Sequence, residues 1–110
     1  MRKSAWEKTQ EELLKERAEV LGRAGEALSL ALSDLEKIGR SITERFREAG
    51  EYPGPAILTE INGEIRHYNS AREYVQLRYF YLIVTREAMG IRRHKTVEEV
   101  YKIPPKKKYL

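Results

Sequence analysis

The sequence contains no cysteine among its 110 residues and only two histidines, four prolines and two phenylalanines. Without cysteine the chain can form no disulfide, no thiolate zinc site, no iron–sulfur cluster and no cysteine nucleophile. Its length fits one domain with a modest core and excludes a two-domain enzyme with a cofactor-binding fold.

Long hydrophobic runs are also missing. The longest unbroken apolar and aromatic run extends only from Tyr79 to Val84, far short of the ~20 residues that cross a bilayer. The first residues of the sequence have no apolar core of the signal-peptide type. We therefore expect a cytoplasmic protein without a transmembrane segment.

Charge is plentiful but unevenly distributed. Charged residues make up 35% of the chain, hydrophobic residues make up 41%, and the formal net charge is +4. This balance is typical of a folded helical protein, not of a disordered chain. Residues 1–50 hold equal numbers of basic and acidic residues, whereas residues 91–110 hold seven basic and two acidic ones. The positive surplus therefore belongs to the C-terminal end.

A heptad pattern predicts a first long helix over about residues 4–49. Ser4 and Glu7 have the spacing of a capping box, and Gly50 followed by Pro53 is typical of a helix end. Between them, apolar residues recur at strict intervals of seven: Leu14, Leu21, Leu28, Leu35 and Ile42. The positions four residues after these are mostly small, which allows a neighbouring helix to approach closely.

Two segments admit a second interpretation. Gly22 and Gly25 raise the alternative of a break in the first helix, although the unchanged heptad phase on both sides favours a continuous one. Residues 57–68 contain an Asn-Gly pair, which is the strongest short signal for a β-hairpin. Such a hairpin would mix apolar and charged side chains on both faces. Helical spacing fits better, so we predict a second helix over about residues 56–90.

Two long helices joined by a short turn must run antiparallel, so the predicted fold is an all-α helical hairpin. Thr96 and Glu99 have the spacing of another capping box, which predicts a short third helix over about residues 97–102. We therefore expect one helical domain over residues 1–102. Residues 103–110 are expected to form an extended, mobile, basic tail rich in proline and lysine.

The antiparallel register also predicts two ion pairs. Arg72 and Arg86 interrupt an otherwise apolar stripe of the second helix. The turn places Arg72 near Asp34 and Arg86 near Glu19 on the first helix. Buried pairs of this kind add little net stability but disfavour other registers.

The hairpin carries more apolar surface than it can bury. The run from Tyr79 to Val84 is apolar or aromatic around its whole circumference, and the first helix covers only one side of it. We therefore expect the chain to self-associate into a homodimeric four-helix bundle with isologous contacts, or into a higher oligomer. The residues predicted to make these contacts are Tyr79, Phe80, Leu82 and Ile83.

One motif points to a metal. Glu64 and His67 form the only E-x-x-H in the sequence, a spacing that places a carboxylate and an imidazole on one helix face, as in ferritin-like metal-binding bundles. However, no glutamate of the first helix lies on the seam opposite this pair. We therefore favour a solvated or interfacial His67, with no metal or other cofactor.

The basic C-terminal end is the stronger electrostatic feature. The candidate polyanion-binding residues are Arg92, Arg93, Lys95, Lys106, Lys107 and Lys108. Such charge attracts nucleic acid, anionic lipid or an acidic protein surface, although a solubilising tail is the simpler explanation.

No catalytic residues are predicted, because the sequence contains no nucleophile–base arrangement and no phosphate-binding loop. We predict a non-enzymatic helical interaction or assembly module whose main partner is a second copy of itself. The alternative is a nucleic-acid-associated protein that uses the basic C-terminal end, and a metal-binding bundle is the third interpretation.

Overall fold

The structure, a computed structural model, describes residues 2–110. It contains two long antiparallel helices and a short third one: α1 is Ala5–Ala49, α2 is Pro55–Ala88 and α3 is Lys95–Val100. The body measures 75 × 23 × 18 Å. The predicted all-α hairpin is confirmed, and the β-hairpin alternative for residues 57–68 is wrong, because that segment lies within α2.

Capping explains where the long helices begin and end. Ser4 is the N-cap of α1, and its Oγ accepts a hydrogen bond of 3.1 Å from the backbone N–H of Glu7, as the sequence predicts. Gly50 follows the last residue of α1 with a φ of 76°, a left-handed conformation that glycine adopts without strain. Pro55 begins α2. Proline suits this position because the first N–H groups of a helix have no intrahelical acceptor, so the absence of an N–H costs no hydrogen bond.

The third helix begins two residues earlier than the sequence predicts. Its N-cap is His94, which makes no side-chain capping bond, and Thr96 lies inside the first turn. The predicted Thr96–Glu99 capping box is therefore wrong. The imidazole of His94 accepts a hydrogen bond of 3.2 Å from Arg86, which fixes the connection against α2 so that α3 begins directly after it.

The core is a row of side chains between the two long helices. From α1 it contains Leu28, Ala31, Leu35 and Ile42; from α2 it contains Ile61, Ile65, Tyr68, Val75 and Leu82; and from α3 it contains Val97. Helix α1 passes without a break through Gly22 and Gly25, so the continuous-helix interpretation is confirmed.

The first part of α1 extends beyond its partner helix. Helix α1 has 45 residues and α2 has 34, so the end of α2 leaves the start of α1 uncovered. Every residue from 5 to 20 is exposed. At 1.5 Å per residue this segment, called the arm below, is about 24 Å long.

Two glycines inside helices allow a matched stability test. A Cβ atom at Gly63 would meet nothing within 4 Å, whereas one at Gly39 would lie 3.3 Å from the Tyr68 ring. Gly63→Ala is expected to stabilise the protein by about 1 kcal/mol through helix propensity. Gly39→Ala should gain less or lose stability, because it crowds Tyr68. Thermal unfolding of the two variants measures the difference, and equal gains would contradict the close packing at Gly39.

Candidate interaction surfaces

A heptad-spaced apolar stripe lies on the side of α2 that faces away from α1. This outer stripe consists of Tyr74, Leu77, Tyr81 and Val84, each between 42% and 49% exposed. Leu77 and Val84 follow the buried residues Val75 and Leu82 by two positions, which is a rotation of about 200° on a helix. The stripe therefore lies opposite the core, and within residues 2–110 no other helix packs on it, although the Arg78 guanidinium lies 5.1 Å from the centre of the Tyr74 ring and 5.9 Å from that of Tyr81.

The four residues predicted for self-association do not share one surface. Phe80 borders the outer stripe and is 60% exposed, but Leu82 is buried in the core. Tyr79 and Ile83 are half-buried and pack against the core. Burial raises the pKa of the Tyr79 phenol, and the nearby carboxylate of Glu98 on α3 raises it further. Three of the four side chains are thus used inside the chain itself.

The arm carries a second apolar stripe without a partner. Besides Leu14, its large apolar residues recur at intervals of seven: Trp6, Leu13 and Val20. Five full helical turns after each of these three residues, α1 has a residue that packs in or against the core. These residues are Ala24, Ala31 and Ile38. The arm stripe therefore continues the face that α1 turns towards α2, past the point where α2 ends.

The basic residues fall into two groups that are separated along α2. The first group is exposed in and just after the α2–α3 connection: Arg92, Arg93 and Lys95. The second group lies beside Asn69, because the chain after α3 runs back along α2: Lys106, Lys107 and Lys108. The helical rise from Asn69 to the end of α2 is about 30 Å. The six residues therefore do not form a single patch.

Residues 103–110, called the strap below, are extended but held against α2. The Asn69 side chain donates to the Lys107 carbonyl oxygen at 3.0 Å and accepts from the Lys107 N–H at 2.9 Å. Asn62 makes the same pair of bonds with Leu110, at 3.3 and 2.8 Å. The prediction of a mobile tail is therefore wrong, because side chains distant in sequence bind its main chain.

The two arginines that the sequence pairs with carboxylates of α1 bind the C-terminal part of the chain instead. Arg72 donates to the Pro104 carbonyl oxygen at 2.6 Å, and Arg86 donates to the connection between α2 and α3. Asp34 and Glu19 are exposed. Both predicted ion pairs are therefore wrong, because the returning chain supplies acceptors for the two arginines.

Tyr68 lies where the two long helices and the strap meet. Its side chain is 5% exposed and packs against Gly39 of α1. The ammonium group of Lys107 lies 4.8 Å from the centre of its ring, within the range of a cation–π interaction. Burial raises the pKa of the Tyr68 phenol, and the nearby positive charge of Arg72 opposes part of that increase.

One member of the E-x-x-H pair, Glu64, joins the two long helices. Glu64 forms an ion pair with Arg45 of α1 at 2.9 Å, and Arg45 also reaches Glu60 at 3.1 Å. His67 is exposed. Within residues 2–110, no group of three or more histidine, aspartate or glutamate side chains is placed to hold a metal. Glu64 thus has a role in joining the helices.

The chain matches no model of a known protein family, no curated protein and no solved structure. Among the described residues, none of the helices combines the length and apolar character needed to cross a membrane. The surfaces described above are therefore the basis for a functional conclusion.

Proposed function

We propose that the chain is a non-enzymatic assembly module that forms an antiparallel homodimer through the arm and the outer stripe. The main support is that one chain carries two exposed, heptad-spaced apolar stripes on adjoining stretches of its length. Stripes with this spacing are the seams that helices bury against one another.

The two stripes adjoin along the long axis. Gly39 packs against Tyr68, so in the antiparallel register Tyr81 lies at the level of Glu26, just past the arm. The helical rise gives the arm stripe a length of about 21 Å and the outer stripe a length of about 15 Å. The lengths are therefore comparable, as a reciprocal contact requires.

The arm cannot cover the outer stripe of its own chain while α1 remains one straight helix. The arm stripe faces the side on which α2 lies, whereas the outer stripe faces away from α1. A second copy satisfies both surfaces when a two-fold axis passes near the end of α2. The α2 helix of the second copy then lies beyond the end of α2 of the first copy, and its outer stripe faces the arm of the first copy. By symmetry, the arm of the second copy meets the outer stripe of the first in the same way.

This arrangement specifies which residues meet. Helix α2 ends at the level of Glu19, which is where the axis lies. Leu13 is then six residues to one side of the axis and Tyr81 is seven residues to the other, so the two face each other across the interface. Where the two copies overlap, a cross-section of the dimer contains three long helices, which differs from the four-helix bundle suggested by the sequence.

Because the chain has no cysteine, site-specific crosslinking tests this dimer directly. Leu13→Cys combined with Tyr81→Cys in one chain should give a disulfide-linked dimer on mild oxidation, since a disulfide needs Cα atoms within about 7 Å. The matched control combines Leu13→Cys with Leu30→Cys, because Leu30 is 60% exposed but lies outside both stripes. The control should remain largely uncrosslinked on a non-reducing gel.

Sedimentation of the unmodified chain at micromolar concentration should show a dimer. A monomer would contradict the proposal, and so would equal crosslinking of the two cysteine pairs. An intramolecular disulfide between positions 13 and 81 would also contradict it, because it would show that the arm folds back at Gly22 and covers the stripe of its own chain.

A further inference from the structure

The surface beneath the strap recognises main chain. Asn62 and Asn69 each use one side-chain amide to donate to the carbonyl and accept from the N–H of a single strap residue. A side-chain amide has both a donor and an acceptor, so it can satisfy an extended peptide unit whatever side chain that unit carries. The pair therefore resembles a receptor for a peptide backbone more than a contact that depends on particular strap side chains.

We propose that this face of α2 is a binding site for an extended, lysine-containing peptide. The strap occupies the site in cis, and a second peptide occupies it in trans when the strap is released. The site consists of Asn62, Asn69, Arg72 and Tyr68. It lies apart from the arm and the outer stripe, so it does not depend on the proposed dimer.

The spacing of the site suits an extended ligand. The two asparagines lie seven residues apart on α2, a rise of about 10.5 Å. Their partners Lys107 and Leu110 lie three residues apart, which is about 9.3 Å in a polyproline II conformation. Arg72 binds the carbonyl oxygen of Pro104, which lies three residues before Lys107 in the strap. Polyproline II has three residues per turn, so the same side of the peptide returns to α2 at each of these positions.

The site also recognises one side chain. The Lys107 ammonium group lies over the Tyr68 ring, while Lys106 makes only an exposed contact of 4.0 Å with Glu73. Lys108 is exposed. The ligand class is therefore an extended peptide with a carbonyl for Arg72 and a lysine three residues later.

The strap is attached more loosely than the core. Ile103 packs against the core, and beyond it the strap touches a core residue where Lys107 lies over the Tyr68 ring. The rest of the attachment consists of part-buried hydrogen bonds at Arg72 and Asn69 and exposed ones at Asn62. Segments held in this way open locally without unfolding of the whole protein, which makes exchange with another peptide feasible.

Two proline variants of the full chain test whether the contacts of Lys107, its N–H with Asn69 and its ammonium group with Tyr68, hold the strap. Lys107→Pro removes the N–H that donates to Asn69, whereas Lys108→Pro removes an N–H that takes no part in these bonds. Each variant removes one lysine, so the net charge is the same. In the unmodified chain, amide hydrogen exchange should be slow at Lys107 and Leu110 and fast at Lys108. Protection at Leu110 should be lost with Lys107→Pro and retained with Lys108→Pro.

Binding in trans is measured by adding a fluorescent peptide of residues 102–110 to the full chains. The Lys107→Pro chain should bind it at least about tenfold more tightly than the unmodified chain, in which the strap competes for the site. Combining Lys107→Pro with Asn69→Ala should remove that gain, with unchanged circular dichroism as the control for folding. A peptide that itself carries Lys107→Pro should bind poorly.

Three results would overturn the proposal: fast exchange at both Lys107 and Leu110 in the unmodified chain, no peptide binding by the Lys107→Pro chain, or equal binding of a scrambled peptide of the same composition. The last result would show attraction by charge alone. The sedimentation behaviour of Lys107→Pro should match that of the unmodified chain, which separates this test from that of the dimer.

Discussion

Leu13→Glu should convert the dimer into monomers over the micromolar range. In the proposed dimer, the two-fold axis places the new carboxylate in the interface twice, each time opposite Tyr81 of the partner subunit. Each copy loses an apolar contact and puts a carboxylate into a desolvated seam, where the Arg78 guanidinium, 5.9 Å from the centre of the Tyr81 ring, offsets only part of the cost. A combined loss of about 2.7 kcal/mol raises the dissociation constant about a hundredfold, which sedimentation equilibrium measures.

The same substitution at an exposed leucine outside both stripes is the control. Leu30 is 60% exposed, against 40% for Leu13, and both belong to α1. Leu30→Glu should leave the dimer intact. Because leucine and glutamate have similar helix propensities and the arm does not contribute to the core, circular dichroism should be unchanged for both variants.

A compensating charge provides a sharper test of which residues meet. Combining Leu13→Glu with Tyr81→Lys places opposite charges face to face at both symmetric contacts. Such complementarity restores pairing in helical interfaces, where like or unpaired charges prevent it. The double variant should dimerise more tightly than either single one. If Leu13→Glu sediments like the unmodified chain, the arm stripe is not the interface.

The heptad of α1 predicts the helical hairpin correctly, because spacing alone determines which residues share a face. Leu28, Leu35 and Ile42 are all buried as expected. Leu14 has the same spacing but is 62% exposed. Whether a heptad position is buried depends on how far the partner helix extends, and the periodicity of α1 contains no information about the length of α2.

The predicted self-association residues illustrate a related limit. A run that is apolar around its whole circumference shows that several sides need cover, but not which neighbour covers each side. The core takes Leu82, and Tyr79 packs beside α3, whereas Phe80 remains exposed. The outer stripe is predictable from the sequence. Leu77 and Val84 are seven residues apart, and each lies two residues after a core position of α2.

The strap was mispredicted because local composition determined the prediction. Prolines and lysines in series are typical of a mobile tail when considered alone. What holds this segment are Asn62 and Asn69, which are 48 and 38 residues away from their partners. A usable signal did exist: two asparagines seven residues apart on one helix face match the three-residue period of a polyproline segment.

Leu35→Ala is expected to have the largest effect on stability, a loss of about 2–5 kcal/mol. Leu35 is 0% exposed and lies midway along the single row of core side chains. In a body only 18 Å thick no second layer of side chains can move in to fill the cavity. The urea midpoint of unfolding measures the loss, at constant protein concentration because the proposed dimerisation would add to apparent stability.

Leu30→Ala makes the same chemical change in the same helix at a side chain that is 60% exposed. It should alter stability by no more than about 0.5 kcal/mol. If Leu30→Ala were as destabilising as Leu35→Ala, Leu30 would have to be buried in the assembled protein. That result would mean that copies associate through a face of α1 outside both stripes. The two variants therefore test both the packing of the hairpin and the geometry of the proposed dimer.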